Sequence, residues 1–78
     1  MIQELDCVAL TTEFADYGLA AGDVGAVVHV YEGGRSYHVE FTTFDGSSVA
    51  VAKVSANQIR PIGDKEIHHA RAFEPAVR

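Results

Sequence analysis

The chain has 78 residues, 47% of them hydrophobic, and a formal net charge of −5. A chain of this length forms one domain and buries only about 60% of its unfolded surface, which leaves little room for a catalytic cavity. The apolar content excludes a disordered protein, and no run of about 18 apolar residues is present to span a membrane. Because the acidic start does not resemble a secretory signal, we expect a small cytoplasmic domain.

Five short strands separated by glycine-containing turns are predicted along the chain. Their ranges are 6–11, 26–31, 36–42, 49–54 and 59–62. A long polar loop through residues 12–17 follows the first strand, and residues 55–58 form one short helical turn before the last strand. This pattern predicts an all-β fold, a five-stranded SH3-like small barrel spanning residues 1–62.

Residues 63–78 are predicted to form a C-terminal tail or a short helix packed on the barrel. Asp64 is a suitable N-cap, and the spacing of Ile67, Ala70 and Phe73 places these apolar residues on one side of such a helix.

Two tight turns, Gly33-Gly34 and Asp45-Gly46, set the register of the predicted hairpins. The core face predicted from them comprises Ala26, Val28, Val30, Tyr37, Val39, Phe41, Ala50, Ala52 and Val54. The opposite face is predicted to carry Val27, His29, His38, Glu40, Val51 and Lys53, with Val49 beside Thr42. A slip of one residue in either hairpin would exchange the two faces.

His29 and His38 are predicted to lie opposite each other on the outer face. Two imidazoles do not make a metal site, since zinc takes three or four protein ligands. The other candidate ligands, Cys7 and His68-His69, are not placed nearby by the sequence. We therefore predict a solvated polar face without a metal or a cofactor.

No arrangement of residues indicates catalysis. The serines at positions 47 and 48 flank a tight turn and lack a nucleophile motif, and the acidic residues are concentrated in predicted loops and strand ends. Cys7 is predicted to be a small buried hydrophobe, and Asp23 to cap its own turn. We therefore predict that the protein is not an enzyme.

The charge is unevenly distributed. Residues 1–62 contain eight acidic residues against three Lys and Arg, whereas residues 63–78 contain three of each. Nucleic-acid binding depends on clustered Lys and Arg, so this balance disfavours it and favours a basic protein partner.

Several segments in a fixed order resemble the bacterial domain-of-unknown-function family 4926. They are residues 6–10, 18–28, 31–34, 37–41 and 58–61, and the similarity spans about residues 5–62. The resemblance implies a small stand-alone SH3-like barrel of the bacterial cytoplasm that works with other small proteins, including toxin-like ones. Residues 22–28 are also similar to the KOW motif, and the barrel type to the β-subunit of nitrile hydratase.

These observations favour a non-enzymatic protein-protein interaction module, such as an antitoxin, immunity or inhibitor-type protein. The residues predicted to bind the partner combine acids with aromatics in two loops: Glu13, Phe14, Asp16, Tyr17, Tyr31 and Glu32. The alternatives are an accessory domain of a metalloenzyme such as nitrile hydratase and a KOW-like nucleic-acid-binding domain. The sequence leaves homo-oligomer formation open.

Overall fold

The computed structural model describes residues 2–74. Its strands are β1 (Cys7–Leu10), β2 (Val24–Val30), β3 (Ser36–Thr42), β4 (Ser48–Ser55) and β5 (Ile59–Pro61). Short 3₁₀ turns occupy Ala15–Tyr17, Glu32–Gly34 and Ala56–Gln58. All strand pairs are antiparallel, in the order β4-β3-β2-β1-β5. The predicted all-β architecture, with five strands and a helical turn before the last, is confirmed.

One apolar core is shared by all five strands. Its buried members are Val8, Leu10, Leu19, Val27, Tyr37, Val39, Phe41, Ala52, Val54 and Ile59. No α-helix or second sheet within residues 2–74 covers these side chains, so the sheet must curve around them to keep them from water. β4 and β5 are not hydrogen-bonded to each other in this part of the chain, and the curved sheet is open along that seam. This arrangement is compatible with the SH3-like description.

The predicted register is confirmed between β3 and most of β4, where Tyr37 pairs with Val54 and Phe41 with Ala50. It changes at the end of β3, because the pairing shifts there and Thr42 lies opposite Ser48. The prediction that Val49 lies beside Thr42 is therefore wrong.

The register between β2 and β3 is confirmed at one end only. His29 pairs with His38 as predicted, but an irregularity between Val27 and His29 inserts Val28 as an extra residue. Val27 therefore pairs with Val39 and is fully buried, while Val28 is 41% exposed. The predicted placement of Val27 outside and Val28 inside is wrong, because two residues of β2 oppose one of β3 at this β-bulge.

The predicted C-terminal helix is absent from residues 63–74. Instead the Glu66 carboxylate accepts a hydrogen bond from the Gly63 amide at 2.7 Å and pairs with Arg60 at 2.9 Å. These bonds close a single turn that is not continued, so Asp64 caps no helix and Ile67 is 94% exposed. Residues 75–78 of the predicted tail lie outside the described residues.

Candidate functional site

The first predicted binding loop is a small closed hairpin. Phe14 and Leu19 exchange two backbone hydrogen bonds, of 2.9 and 3.1 Å. The 3₁₀ turn Ala15–Tyr17 lies between them, and Gly18 closes it by donating its amide to Ala15 at 3.0 Å. Gly18 has a φ of 73°, which glycine adopts without steric cost. The loop therefore holds its side chains on an ordered backbone.

The two aromatic residues of this hairpin have different roles. Phe14 is half-buried and packs against the core, whereas Tyr17 is 42% exposed. Their ring centroids are 6.4 Å apart, so the anchored ring supports the exposed one. Glu13 and Asp16 are both exposed on the same short segment. The hairpin thus presents one exposed tyrosine ring on the same short segment as two exposed acidic residues.

Tyr31 lies in a separate cluster on the outer face of the sheet. Its ring centroid is 4.5 Å from that of His29 and 5.1 Å from that of His38, and its hydroxyl is 2.6 Å from His38 Nδ1. The ammonium group of Lys53 lies 4.6 Å from the Tyr31 ring centroid, a cation–π contact. Glu32 is exposed and begins the next turn. No group of three or more potential metal ligands occurs in residues 2–74.

The aromatic residues predicted to bind the partner therefore lie in two separate ring clusters. The ring contact of Phe14 is with Tyr17, whereas the ring contacts of Tyr31 are with the two histidines. The partner-binding role of the six residues stays a prediction. Cys7 is exposed rather than buried, because Val8 and Leu10 on the same strand take the positions that face the core.

The sequence analysis missed a clasp between the C-terminal segment and the loop before β2. Arg71 donates from Nε and from one terminal nitrogen to the two carboxylate oxygens of Asp23, at 2.9 and 2.6 Å. The same terminal nitrogen donates to the Gly18 carbonyl at 2.9 Å. Asp23 also accepts the Ala20 amide at 2.8 Å, which confirms that it caps its own turn. No local spacing predicts a contact across 48 positions.

A groove of about 490 Å³ runs between the C-terminal segment and the sheet. Its lining includes Val24, Phe41, Phe44, His69 and Phe73. Phe44 is 92% exposed in the turn between β3 and β4, and the sequence analysis also missed it. The sequence does indicate this exposure, because Phe44 directly precedes the tight Asp45-Gly46 turn, and the chain at such a turn lies outside the core.

The clasp gives the carboxyl group of Asp23 an acid-sensitive role. Partial burial acts to raise its pKa, but the hydrogen bonds from Arg71 and Ala20 outweigh burial, and the pKa is lowered. A lowered folded-state pKa stabilises the fold above the unfolded value of about 3.9, and this stabilisation is lost as the pH falls through the folded value.

We therefore expect Asp23→Asn to be less stable than the wild type at neutral pH and to lose less stability on acidification. Urea denaturation at neutral pH and at about pH 3 measures both effects. Because hydrogen bonds also lower the pKa values of Asp45 and Glu66, the variant retains some acid dependence. An acid dependence equal to that of the wild type would contradict this account.

Comparison with known families gives one match. The model of DUF4926, described as a domain of unknown function, matches residues 4–61. No curated protein and no solved structure matches the chain. Among residues 2–74, no helix is long and apolar enough to cross a membrane.

Proposed function

We propose that this chain, which belongs to the DUF4926 family of domains of unknown function, is a non-enzymatic protein-interaction module. The module binds a larger, basic bacterial partner through its acidic and aromatic loops, with the Phe14–Leu19 hairpin at the centre of the contact. An antitoxin, immunity or inhibitor-type protein of the cytoplasm is the kind of protein that fits such a module.

The observation that carries this proposal is the exposed Tyr17 ring on a hydrogen-bonded hairpin. Tyrosine is enriched among the residues that dominate interface energies. A backbone that is already ordered loses less conformational entropy on binding, so more of the contact energy appears as affinity. The hairpin is therefore suited to act as a preformed anchor.

Charge supports a basic partner. The net charge of −5 attracts a positively charged protein at long range, and the exposed carboxylates of Glu13 and Glu32 add to this attraction at the loops. Attraction of this kind mainly accelerates association and selects partners, while the buried aromatic contact supplies affinity. The acidic residues would thus act during association, and the aromatic residue would act in the bound complex.

A capture experiment with matched aromatic variants tests the proposal. The tagged wild type, Tyr17→Ala and Phe44→Ala are each immobilised and exposed to a bacterial lysate. Both substitutions remove exposed rings, so both variants should fold. Phe14→Ala is not used, because Phe14 packs against the core. We expect Tyr17→Ala to reduce capture of a stoichiometric protein at least about 10-fold and Phe44→Ala to leave it unchanged.

The identity of the captured molecule separates the alternatives. Capture that survives Tyr17→Ala but fails with Phe44→Ala would contradict the proposed site. A metalloenzyme subunit such as a nitrile hydratase chain would favour the accessory-domain alternative. Nucleic acid as the sole captured species, lost steeply with added salt, would favour the KOW-like alternative.

A further inference from the structure

The two edges of the sheet differ in their capacity to accept another strand. β5 forms one edge with only three residues, and its last residue is Pro61, which has no amide hydrogen to donate. β4 forms the other edge with eight residues and contains no proline. Short strands and proline are devices that block edge pairing. β5 therefore has both of these devices, whereas β4 has neither and is protected only by Lys53 and by the irregular pairing at its start.

The backbone groups that point out from the β4 edge follow from the hydrogen bonds of its neighbours. The Ala56 amide donates to Arg35, and these two residues continue the β3–β4 register as a hydrogen-bonded pair. Alternation along an antiparallel ladder then turns the amides and carbonyls of Ala52 and Val54 toward β3. Those of Val51 and Lys53 point away from the sheet.

An independent hydrogen bond gives the same alternation. The Tyr31 amide donates to Ser36, so alternate residues of β3, including Ser36 and His38, direct their backbone groups toward β2. The residues between them direct theirs toward β4. His38 pairs with Lys53 without bonding to it, so the backbone groups of Lys53 are left facing outward. Val51 is 51% exposed, and Lys53 is also exposed.

We propose that this edge pairs with the same edge of a second copy of the chain, forming a two-fold symmetric dimer. Val51 of each copy lies opposite Lys53 of the other, and Ala52 lies on the two-fold axis. Each of the two Val51–Lys53 pairs contributes two backbone hydrogen bonds. The two open sheets join into one continuous sheet across the dimer.

Two structural features limit the part of β4 that can pair with another strand, and they select this register. The Ser55 amide is already bonded to the Gln58 side chain at 2.8 Å, and the ladder is irregular where Phe41 meets Thr42. Only Val51 and Lys53 lie between these limits with outward-facing groups. Pairing Lys53 with itself would place two like charges opposite each other, which is destabilising.

The local charges around Lys53 support a second copy as the occupant, against the long-range repulsion of two chains that each carry a net charge of −5. Lys53 is the single charged residue of β4, and Glu40 lies beside Val51 on the same outer face. In the dimer, Lys53 of one copy falls in line with Val51 and Glu40 of the other, with about 10 Å between the Lys and Glu Cα atoms. The Lys53 and Glu40 side chains are together long enough to bring their charged groups into contact across that distance. Glu40 has no ion pair within residues 2–74, and Lys53 exchanges its contact with Tyr31 for this one.

Sedimentation equilibrium of the purified full chain from about 10 μM to about 1 mM tests the dimer. We expect the wild type to dimerise within this range and Val51→Pro to remain monomeric. Proline removes the outward amide of Val51, which β3 does not use, so far-UV circular dichroism should show an intact fold. A wild type that is monomeric throughout, or a Val51→Pro variant that dimerises equally well, would overturn the proposal.

Charge reversal tests the predicted register. Lys53→Glu and Glu40→Lys should each weaken dimerisation at least about 10-fold, because each places like charges together across the interface. The double variant restores opposite charges and should recover most of the wild-type dimerisation. A double variant no better than the two single variants would contradict this register. These outcomes do not depend on Tyr17, so the dimer and the proposed partner site are tested separately.

Discussion

Replacing Gly25 by alanine is expected to destabilise the protein by about 3 kcal/mol or more, which is a large part of the total stability of so small a domain. An added Cβ would lie 2.6 Å from Val39 Cγ1, 2.8 Å from the Glu40 carbonyl oxygen and 2.9 Å from Phe41 Cδ2. Real Cβ atoms do not approach other atoms this closely. The carbonyl oxygen belongs to the backbone of β3 and cannot move without disturbing the sheet.

Gly22→Ala is the matched control for this substitution. Gly22 lies in the same segment and has a φ of 93°, but an added Cβ would meet nothing within 4 Å. The cost there is the backbone strain of a non-glycine residue, on the order of 1–2 kcal/mol. Urea denaturation followed by far-UV circular dichroism measures both variants. Equal destabilisation of the two would show that the tight contact at Gly25 is not what matters.

The bulge in β2 gives a second large effect. Val27→Asp is expected to prevent folding, because it places an unpaired carboxylate in the core where the valine is fully buried. Val28→Asp is expected to fold, because that side chain is 41% exposed. A simple hairpin register predicts the opposite outcome, with Val28 in the core. Thermal unfolding of the two purified variants therefore tests the bulge directly.

Two substitutions in β3 serve as controls, because they show whether aspartate in a strand is destabilising in general or only at a buried position. Thr42→Asp changes an exposed residue of β3 and should be tolerated, whereas Phe41→Asp changes a residue that is 2% exposed and should not. If Val27→Asp were tolerated as well as Thr42→Asp, the bulged register would be wrong.

The residues explain why one hairpin was predictable and the other was not. In β3, apolar residues alternate with Ser, His, Glu and Thr, so only one face of this strand can enter the core. β4 is apolar at all four positions 49–52, and its register was predicted from the tight Asp45-Gly46 turn. In β2, the run Ala26-Val27-Val28 is apolar at every position, so the alternation disappears where the bulge occurs. The Gly33-Gly34 turn predicted the correct pairing at one end of the β2–β3 hairpin. No local pattern in the sequence indicated that Val28 is an extra residue at the bulge.

The candidate site was likewise predictable from the sequence only in part. The sequence predicted Phe14 and Tyr17 alike as binding aromatics beside acids, because residues 12–17 form a polar stretch with no core pattern. The anchoring of Phe14 depends on Leu19 and the core, which only the folded chain brings together. The Arg71–Asp23 clasp depends on the path of the C-terminal segment, which residue types do not specify.

That clasp has a consequence for where this domain ends. The family match stops at residue 61, yet Arg71 holds the loop that precedes β2. A protein shortened to the matched region would keep all five strands but leave Asp23 without its guanidinium partner. The boundary drawn by sequence similarity is therefore narrower than the folded unit.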